Sequence, residues 1–251
     1  MIKQKIKAIL PTKIKRIMRS IRISLFGMEW EYNNKSNSEV FDKIYRDGVW
    51  GKTSNGESTS GSGSHSREII TPYIDVVETL LDDVKPRVIV DIGCGDFNVG
   101  SHFLTYTQHY IACDVSSVIL ERNKKQYQSF GNVEFLLLDL ASDELPKGDL
   151  AFVRQVLQHI SNDHIQSFVD KIHCDQPFKF LIVTEHLPAK KSFKANTNKP
   201  AGSNIRAAIN SGVVLHKPPF SLKSKKRSIL LEVPKDIGDI NAVIRSTLYE
   251  F

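Results

Sequence analysis

The amino-acid sequence predicts an α/β fold with a doubly wound, mostly parallel sheet and an amphipathic helical arm at its N-terminus. Two observations predict the sheet. Short apolar runs typical of buried strands alternate with segments of helical periodicity from residue 67 to residue 186, and connections of this length imply right-handed crossovers between parallel strands. A third observation predicts the arm: within residues 1–27 an apolar stripe lies opposite eight basic side chains.

Length and composition indicate one catalytic domain. The chain has 251 residues, of which 41% are hydrophobic, enough to bury a substantial core. Its three cysteines, Cys94, Cys113 and Cys174, form no CxxC pair, which argues against a disulfide framework and a zinc cluster. No acidic or histidine cluster with metal spacing stands out, so no metal is expected. These features favour a cytoplasmic protein.

The N-terminal arm accounts for the net charge of +6. Residues 1–27 hold eight basic side chains and no acidic one, whereas the rest of the chain is nearly neutral. The arm lacks the long apolar core of a secretory signal, and Pro11 divides its apolar stripe. Three interpretations stay open: a helix on the anionic inner face of the membrane, a helix packed on its own domain, and a disordered segment.

Helices and strands alternate along the remaining chain. Helical periodicity predicts helices over Glu39–Tyr45, Arg67–Leu81, Ser101–Tyr106, Val118–Phe130 and Asn162–Ile172. Apolar runs predict strands over Val88–Ile92, His109–Asp114, Val133–Leu140, Asp149–Gln155, Phe178–His186 and Arg227–Pro234. The predicted organisation is therefore an arm, residues 1–38, and one domain, residues 39–251. That domain comprises a leader (39–66), a core (67–187) and a C-terminal region (188–251).

The most informative stretch is VIVDIGCGDFNVG, Val88–Gly100. Gly93 and Gly95 permit a tight turn after a buried strand and let backbone amides approach a ligand. Asp114 stands at the end of the next strand, where a carboxylate can accept both hydroxyl protons of an adenosine ribose. Asp91 has an alternative structural role, in which it accepts backbone amides of the turn.

A dinucleotide oxidoreductase is the first competing interpretation of this turn. Asn98 occupies the place of the third glycine in the GxGxxG pattern. Asp91 and Asp96 would also face a pyrophosphate unfavourably. S-adenosylmethionine carries a ribose, an ammonium and a sulfonium, so acids around the turn favour that cofactor instead.

VDIGCGD resembles the first motif of class I S-adenosylmethionine-dependent methyltransferases, and the resemblance covers about residues 39–185. It implies the Rossmann-like fold of that family. DLAFVRQVLQHIS resembles the fourth motif, and it lacks the Asn-Pro-Pro-Tyr type of sequence found in DNA adenine methyltransferases. The resemblance implies that the cofactor is bound by Asp91, Gly93, Cys94, Gly95 and Asp96 of the turn, by Asp114, by Asp139 and Leu140, and by Arg154, Gln155 and Val156.

The leader, FDKIYRDGVWG followed by SGSGSHS, resembles that of small methyltransferases encoded among bacterial surface-polysaccharide genes. This resemblance implies a saccharide or other small-molecule acceptor and a leader that closes over the cofactor. The alternative is a flexible linker. In the lid interpretation, Trp50 or the backbone of Ser60–Ser64 contributes to the site.

Three residues are candidate general bases, because each follows a strand at the ligand-binding edge: His159, His186 and Glu185. Each has a structural alternative: His159 as a residue that caps or packs its helix, and Glu185–His186 as a solvated strand end. In the C-terminal region, the resemblance implies that Ser211, Gly212, His216 and Phe220 face the acceptor, whereas an ordinary hairpin is the alternative. The basic run Lys223–Arg227 is interpreted as a solvated turn rather than a phosphate site.

Three functions are compatible with these residues. The first is O-methylation of a saccharide or glycolipid precursor at the inner face of the membrane. The second is methylation of RNA or another small metabolite, for which a basic face beside the site would be the discriminating feature; the near-neutral body makes nucleic acid the less favoured partner. The third is a non-catalytic cofactor-binding module on the same scaffold.

Overall fold

The structure is a computed structural model that describes residues 29–190, 192–237 and 240–251. The arm over residues 1–27 lies outside the described residues, so its three interpretations stay predictions. Within the described ranges, no helix is both long enough and apolar enough to cross a membrane.

Seven strands form one sheet, which confirms the predicted fold class. The order across the sheet is β3-β2-β1-β4-β5-β7-β6. The first five strands are parallel, and β7 runs antiparallel to both of its neighbours. The strands are β1 (Val88–Ile92), β2 (His109–Asp114), β3 (Val133–Leu137), β4 (Gly148–Arg154), β5 (Phe178–Pro188), β6 (Lys226–Pro234) and β7 (Ala242–Glu250). From β1 the chain adds β2 and β3 on one side of the sheet and then crosses over to add β4 on the other side. This switch in strand order opens a crevice at the carboxyl ends of β1 and β4.

Five α-helices accompany the sheet in the described ranges: α1 (Asn37–Asp47), α2 (Ser62–His65), α3 (Arg67–Val84), α4 (Ser117–Gln126) and α5 (Asn162–Asp175). Ser36 and Glu39 start α1 with a capping box, in which each satisfies a backbone amide of the other. Ser161 caps α5 in a similar way, by accepting from the amide of His164.

Alternate residues of the strands enter two cores on opposite faces of the sheet. On one face Val77 and Leu81 of α3 pack in the cluster that contains Ile89 of β1. On the other face Phe168 and Val169 of α5 pack in the cluster that contains the next residue, Val90. Because both faces of the central parallel strands are covered, these strands read as nearly continuous apolar runs.

Several predicted elements differ in the structure. Ser101–Tyr106 lies in a 3-10 helix, Gly100–Tyr106, and β3 ends at Leu137 rather than at residue 140. β7 is absent from the predicted elements. Ile205–Phe220 forms no hairpin: a 3-10 helix, Arg206–Ile209, is followed by irregular chain. The buried Arg206 side chain explains this, since it donates to the carbonyls of Thr197 and Ile160 and holds the segment against the domain.

Candidate active site

A cavity of about 500 Å³ lies at the carboxyl ends of β1, β2 and β4, where the strand order reverses. The leader covers one side of it, and the segment 203–208 with residues 235–237 covers another. All of the predicted cofactor-binding residues line this one cavity: Asp91, Gly93, Cys94, Gly95, Asp96, Asp114, Asp139, Leu140, Arg154, Gln155 and Val156. Their roles toward a cofactor stay predictions, but the structure brings them together.

The turn after β1 requires glycine at two positions. Gly93 and Gly95 have φ values of 79° and 58°, in the left-handed region. A Cβ on Gly93 would lie 2.3 Å from Cγ2 of Val156, and one on Gly95 would lie 2.3 Å from Oγ of Ser60. Neither position therefore has room for a side chain, and the backbone of the turn lies directly against its neighbours.

Asp114 holds the turn in place. Its Oδ2 accepts from the amide of Gly95 at 2.9 Å, and its Oδ1 accepts from the amide of Ser116 at 2.9 Å. Burial raises the pKa of this carboxyl to about 6, although the backbone hydrogen bonds oppose the rise. The turn-fixing role considered for Asp91 thus belongs to Asp114, which also lines the cavity.

Asp91 and Arg154 bring opposite charges to the cavity floor. Oδ2 of Asp91 accepts from the hydroxyl of Tyr110 at 3.1 Å, and burial raises the pKa of Asp91 to about 7. The Arg154 guanidinium lies 4.9 Å from the ring centroid of Tyr73 and donates to Oγ of Ser64 at 3.1 Å. Burial lowers the pKa of Arg154, while the charge of Asp91 opposes that shift.

The leader is docked on the glycine turn. The amide of Ser60 donates to Oδ2 of Asp96, and the amide of Asp96 donates back to Oγ of Ser60, both at 2.8 Å. His65 lies 2.6 Å from the same carboxylate oxygen, and Arg122 donates to the carbonyl of Ser58. Of the two interpretations of the leader, this arrangement matches a segment that contributes to the site, and it includes a short helix, α2, where no regular structure was expected.

The charge state of the docking contact follows from its geometry. The hydrogen bond to Asp96 raises the pKa of His65 above its ordinary value. Burial of Asp96 opposes its ionisation, yet the hydrogen bonds from His65 and from the amides of Ser60 and Asn98 hold its pKa below the ordinary value. The contact is therefore an ion pair at pH values between the lowered pKa of Asp96 and the raised pKa of His65.

Asn37 is a site residue that carries no recognisable motif. It starts α1, and its Nδ2 donates to both carboxylate oxygens of Asp139, at 3.1 and 2.9 Å. Asp42, one turn further along α1, accepts from the hydroxyl of Ser116 at 2.7 Å. These contacts attach the leader helix to the ends of two strands, and only the tertiary structure reveals them.

His159 lines the same cavity and lies against Trp50 of the leader. Its side chain is buried, Nδ1 donates to the carbonyl of Gly202 at 3.1 Å, and Nε2, which carries the lone pair, accepts from Nε2 of Gln158 at 3.3 Å. Burial, assisted by the charge of Lys199, lowers the pKa of His159 to about 3. The Trp50 ring lies 5.0 Å from the imidazole, centroid to centroid, and the Trp50 indole donates to the carbonyl of Ser203.

His186 and Glu185 are both buried, so the solvated strand end considered for them is wrong. His186 lines the cavity, and its Nε2 donates to the carbonyl of Lys235 at 3.0 Å. Burial lowers its pKa. Glu185 does not line the cavity. Its Oε1 accepts from the amide of Leu157 at 3.0 Å, and burial raises its pKa to about 8. Glu185 thus supports the turn before His159 instead of reaching a substrate.

A buried ion pair supports the loop that holds His159. Nζ of Lys199 lies 3.7 Å from Oε1 of Glu29 and donates to the carbonyl of His159 at 3.2 Å. The same Glu29 oxygen accepts from the amide of Asn204 at 2.7 Å. Burial lowers the pKa of Lys199 to about 8. Ser203 and Asn204, which line the cavity, are therefore positioned by residues far apart in the sequence.

The four residues of the C-terminal region that were expected to face the acceptor do not line the cavity. The Ser211 hydroxyl bonds the backbone at Lys194 and Thr197, and Phe220 belongs to the core. Gly212 packs against Leu187, and His216 lines a separate groove. The cavity is lined instead by Ser203, Asn204, Ile205, Ala208, Lys235, Asp236, Ile237 and Ile244. Within the described residues, no group of three or more His, Cys, Asp or Glu side chains could hold a metal ion.

Comparison with known proteins agrees with this geometry. Residues 90–174 match the protein family described as "Methyltransferase domain". A search of curated protein sequences finds no match to the chain.

Three solved structures resemble the chain over most of its length. The N-methyltransferase NodS from Bradyrhizobium japonicum WM9, in complex with S-adenosyl-L-homocysteine, aligns with a TM-score of 0.56 at 11% identity, covering 83% of this chain and 99% of that one. The methyltransferase domain of bacterial CtHen1 aligns with a TM-score of 0.52 at 16% identity, covering 72% and 98%. The N-terminal domain of EvdMO1, in the presence of S-adenosylhomocysteine and D-fucose, aligns with a TM-score of 0.51 at 10% identity, covering 86% and 99%. Residues 90–174 thus match a methyltransferase family, and the chain has the fold of class I S-adenosylmethionine-dependent methyltransferases.

Proposed function

We propose that the protein is a cytoplasmic S-adenosylmethionine-dependent methyltransferase that O-methylates a saccharide or glycolipid precursor of a cell-surface polysaccharide. The observation that carries the reaction class is the convergence of the glycine turn, Asp114, Asp139 and the end of β4 on one cavity. NodS and the EvdMO1 domain, which share the fold, were both solved with S-adenosylhomocysteine, the demethylated form of this cofactor.

The cavity fits a cofactor that carries both charges. Asp91, Asp96, Asp114 and Asp139 line it, which suits an ammonium, a sulfonium and a ribose. Two lining donors, Nε of Arg154 and Nε2 of Gln155, are buried and have no hydrogen-bond partner among the described residues. Because buried donors are rarely left without partners, they are available for the carboxylate of the cofactor. When bound, the cofactor supplies a methyl group that is already activated toward a nucleophile.

The saccharide acceptor is supported by the wall around His159. Trp50, His159 and His186 combine an aromatic face with two neutral imidazoles, and Asn204 adds a polar side chain to the same cavity. A hydroxylated ring presents both apolar C–H faces and polar edges, so it suits such a wall. The EvdMO1 domain, which has the same fold, was solved in the presence of a sugar, D-fucose.

His159 would take the proton of the acceptor hydroxyl. Its Nε2 carries the lone pair, because Nδ1–H is committed to Gly202, and the acceptor hydroxyl would take the place of the Gln158 amide that lies 3.3 Å from Nε2. A pKa of about 3 makes it a weak base toward a free hydroxyl. The hydroxyl becomes strongly acidic only as its oxygen bonds to the methyl carbon, so a fixed, neutral acceptor is sufficient for a late proton transfer.

Isothermal titration of the full chain with S-adenosylmethionine and, separately, with NADH tests the cofactor. We expect binding of S-adenosylmethionine that Asp114→Ala strongly weakens. Absence of this binding would reject the proposal, and binding of NADH instead would favour a dehydrogenase. Screening for methyl transfer to glycan precursors, RNA and small metabolites then tests the acceptor: transfer to RNA alone would contradict the saccharide assignment, and binding without any turnover would indicate a non-catalytic module.

We propose further that residues 1–27 hold the enzyme on the anionic inner face of the membrane, where glycolipid precursors are found. Support comes from the eight basic side chains and the apolar stripe of that segment. Co-sedimentation of the full chain should be strong with anionic vesicles, weak with neutral vesicles and reduced by salt, because salt screens surface charges. Equal binding to both vesicle types would contradict this proposal.

A further inference from the structure

A second groove, of about 570 Å³, lies on the outer part of the sheet and shares no lining residue with the active-site cavity. One face of the β6–β7 pair forms its floor. Arg227 and Ile229 of β6 and Arg245 and Thr247 of β7 lie on this face, because residues two apart in a strand point to the same side of the sheet. Its remaining lining residues are Phe193, Val214, His216 and Lys217. We call it the cationic groove.

Three positive charges converge on this groove. Lys217, Arg227 and Arg245 all line it, and all three are close enough to His216 to act on its ionisation. Burial, followed by the charges of these three side chains, lowers the pKa of His216 to about 4. The imidazole is therefore neutral at neutral pH, with Nδ1 3.4 Å from the hydroxyl of Tyr249.

Among the described residues, carboxylates pair with only one of these three charged side chains. Arg245 pairs with Glu232 at 2.6 Å. Within residues 29–190, 192–237 and 240–251, no carboxylate oxygen lies within 4 Å of the charged nitrogens of Lys217 or Arg227. In the same basic run, by contrast, Lys226 is paired with Glu250 at 3.0 Å. The run Lys223–Arg227 is interpreted from the sequence as a solvated turn. In the structure its last residue, Arg227, lines the groove without a carboxylate partner among the described residues.

The groove also offers apolar surface. Phe193, Val214 and Ile229 line it, and Ile229 is 56% exposed, so its side chain is accessible to a ligand in the groove. Unpaired cations beside an exposed apolar floor match a ligand that has an anionic head and an apolar body. A concave site of this size suits a small molecule better than an extended polymer, whose phosphates would require cations spread along a track.

We propose that the cationic groove binds a phosphorylated small molecule, with the phosphate on Lys217, Arg227 and Arg245 and an apolar or aromatic body on Phe193, Val214 and Ile229. This site is separate from the methyl-transfer site and does not depend on the function proposed for it.

Titration of the full chain with phenyl phosphate tests the proposal, with inorganic phosphate as the probe that lacks the apolar body. The double variant Lys217→Gln/Arg227→Gln removes the two unpaired cations. The matched control, Lys223→Gln/Lys225→Gln, removes the same charge from the same basic run at residues that do not line the groove. We expect the dissociation constant for phenyl phosphate to rise at least about tenfold in the first variant and less than about twofold in the control.

Ile229→Ser tests the apolar floor separately. We expect it to weaken binding of phenyl phosphate but to leave binding of inorganic phosphate unchanged, since inorganic phosphate has no apolar body to contact Ile229. Thermal unfolding and S-adenosylmethionine binding should match the wild type in every variant, because the substituted side chains are exposed and lie outside the active-site cavity.

Four results would overturn the proposal. These are no binding of phenyl phosphate at millimolar concentration, equal losses in the groove variant and its control, binding only to anionic lipid vesicles, and binding only to an RNA oligonucleotide. The last two would assign the groove to a membrane surface or to RNA instead.

Discussion

Ser60 of the leader and Asp96 of the glycine turn are joined by two reciprocal hydrogen bonds, each 2.8 Å long. Residues separated by 36 positions thus share one contact that closes the cavity on the leader side. Tyr45 extends it, since its hydroxyl lies 3.0 Å from Oγ of Ser60. Leader docking and cofactor binding should therefore depend on each other.

Asp96→Asn should release the leader and weaken S-adenosylmethionine binding by about tenfold, because a charge-assisted hydrogen bond contributes roughly 1.5–3 kcal/mol. Limited proteolysis within residues 48–66 and titration calorimetry measure the two effects. Ser60→Ala should expose the same segment without removing a charge. Asp47→Asn is the matched control, because Asp47 lies on the surface of α1 and, among the described residues, forms a salt bridge with Lys43 alone. A leader that stays protected in both test variants would contradict the coupling.

The docking contact should also depend on pH. The pKa of His65 is raised, so protonated His65 stabilises the docked leader. This stabilisation is complete below the ordinary value of 6.5 and is lost as pH rises through the raised value. The Asp96 pKa is lowered, so its contribution is present above 3.8 and is lost as pH falls through the lowered value. Fluorescence of Trp50 in a Trp30→Phe background should report leader release with a midpoint above pH 6.5. His65→Gln should abolish that transition, and a transition that persists in this variant would rule out His65 as its cause.

Cofactor affinity should fall in mild acid. The pKa of Asp114 is about 6 in the folded protein, against an ordinary value of 3.8, so the carboxylate is protonated over a range in which a free aspartate stays ionised. A protonated carboxyl cannot accept both ribose hydroxyl protons, and the dissociation constant should rise by up to about tenfold per pH unit below pH 6. Calorimetry from pH 7.5 to pH 5 measures this. Asp114→Asn should bind weakly at every pH, and a wild-type affinity that is constant over this range would contradict the role of Asp114.

His159→Gln should lower kcat by about 10² to 10⁴ while S-adenosylmethionine still binds, because the proton acceptor is lost and the cofactor side of the cavity is unchanged. Single-turnover rates and calorimetry separate the two quantities once an acceptor is known. His186→Gln provides the comparison, since His186 lines the same cavity and likewise donates one ring nitrogen to a backbone carbonyl, that of Lys235. Equal losses in both variants would argue against a specific role for His159.

Local pattern was sufficient for the strands β1 to β5 and for the glycine turn. Val88–Ile92 is buried on both faces, as are most residues of β2, β4 and β5, so these strands are short apolar runs that can be recognised without knowledge of their neighbours. Gly93 and Gly95 are also visible locally, because a left-handed backbone next to packed side chains requires glycine. Parallel strands bring their carboxyl ends to one edge, which is why acids far apart in the sequence could be assigned to a single site.

The contacts of the leader helix and the wall of the cavity around His159 depended on the tertiary structure. Neither Asn37 nor Asn204 belongs to a periodic pattern or a motif, and their positions result from contacts with Asp139 and Glu29 more than 100 residues away along the chain. Burial likewise made His159 a neutral imidazole and turned Glu185 away from the cavity. Backbone conformation and strand burial are encoded over a few neighbouring residues, whereas desolvation and hydrogen-bond partners exist only after distant segments have packed together.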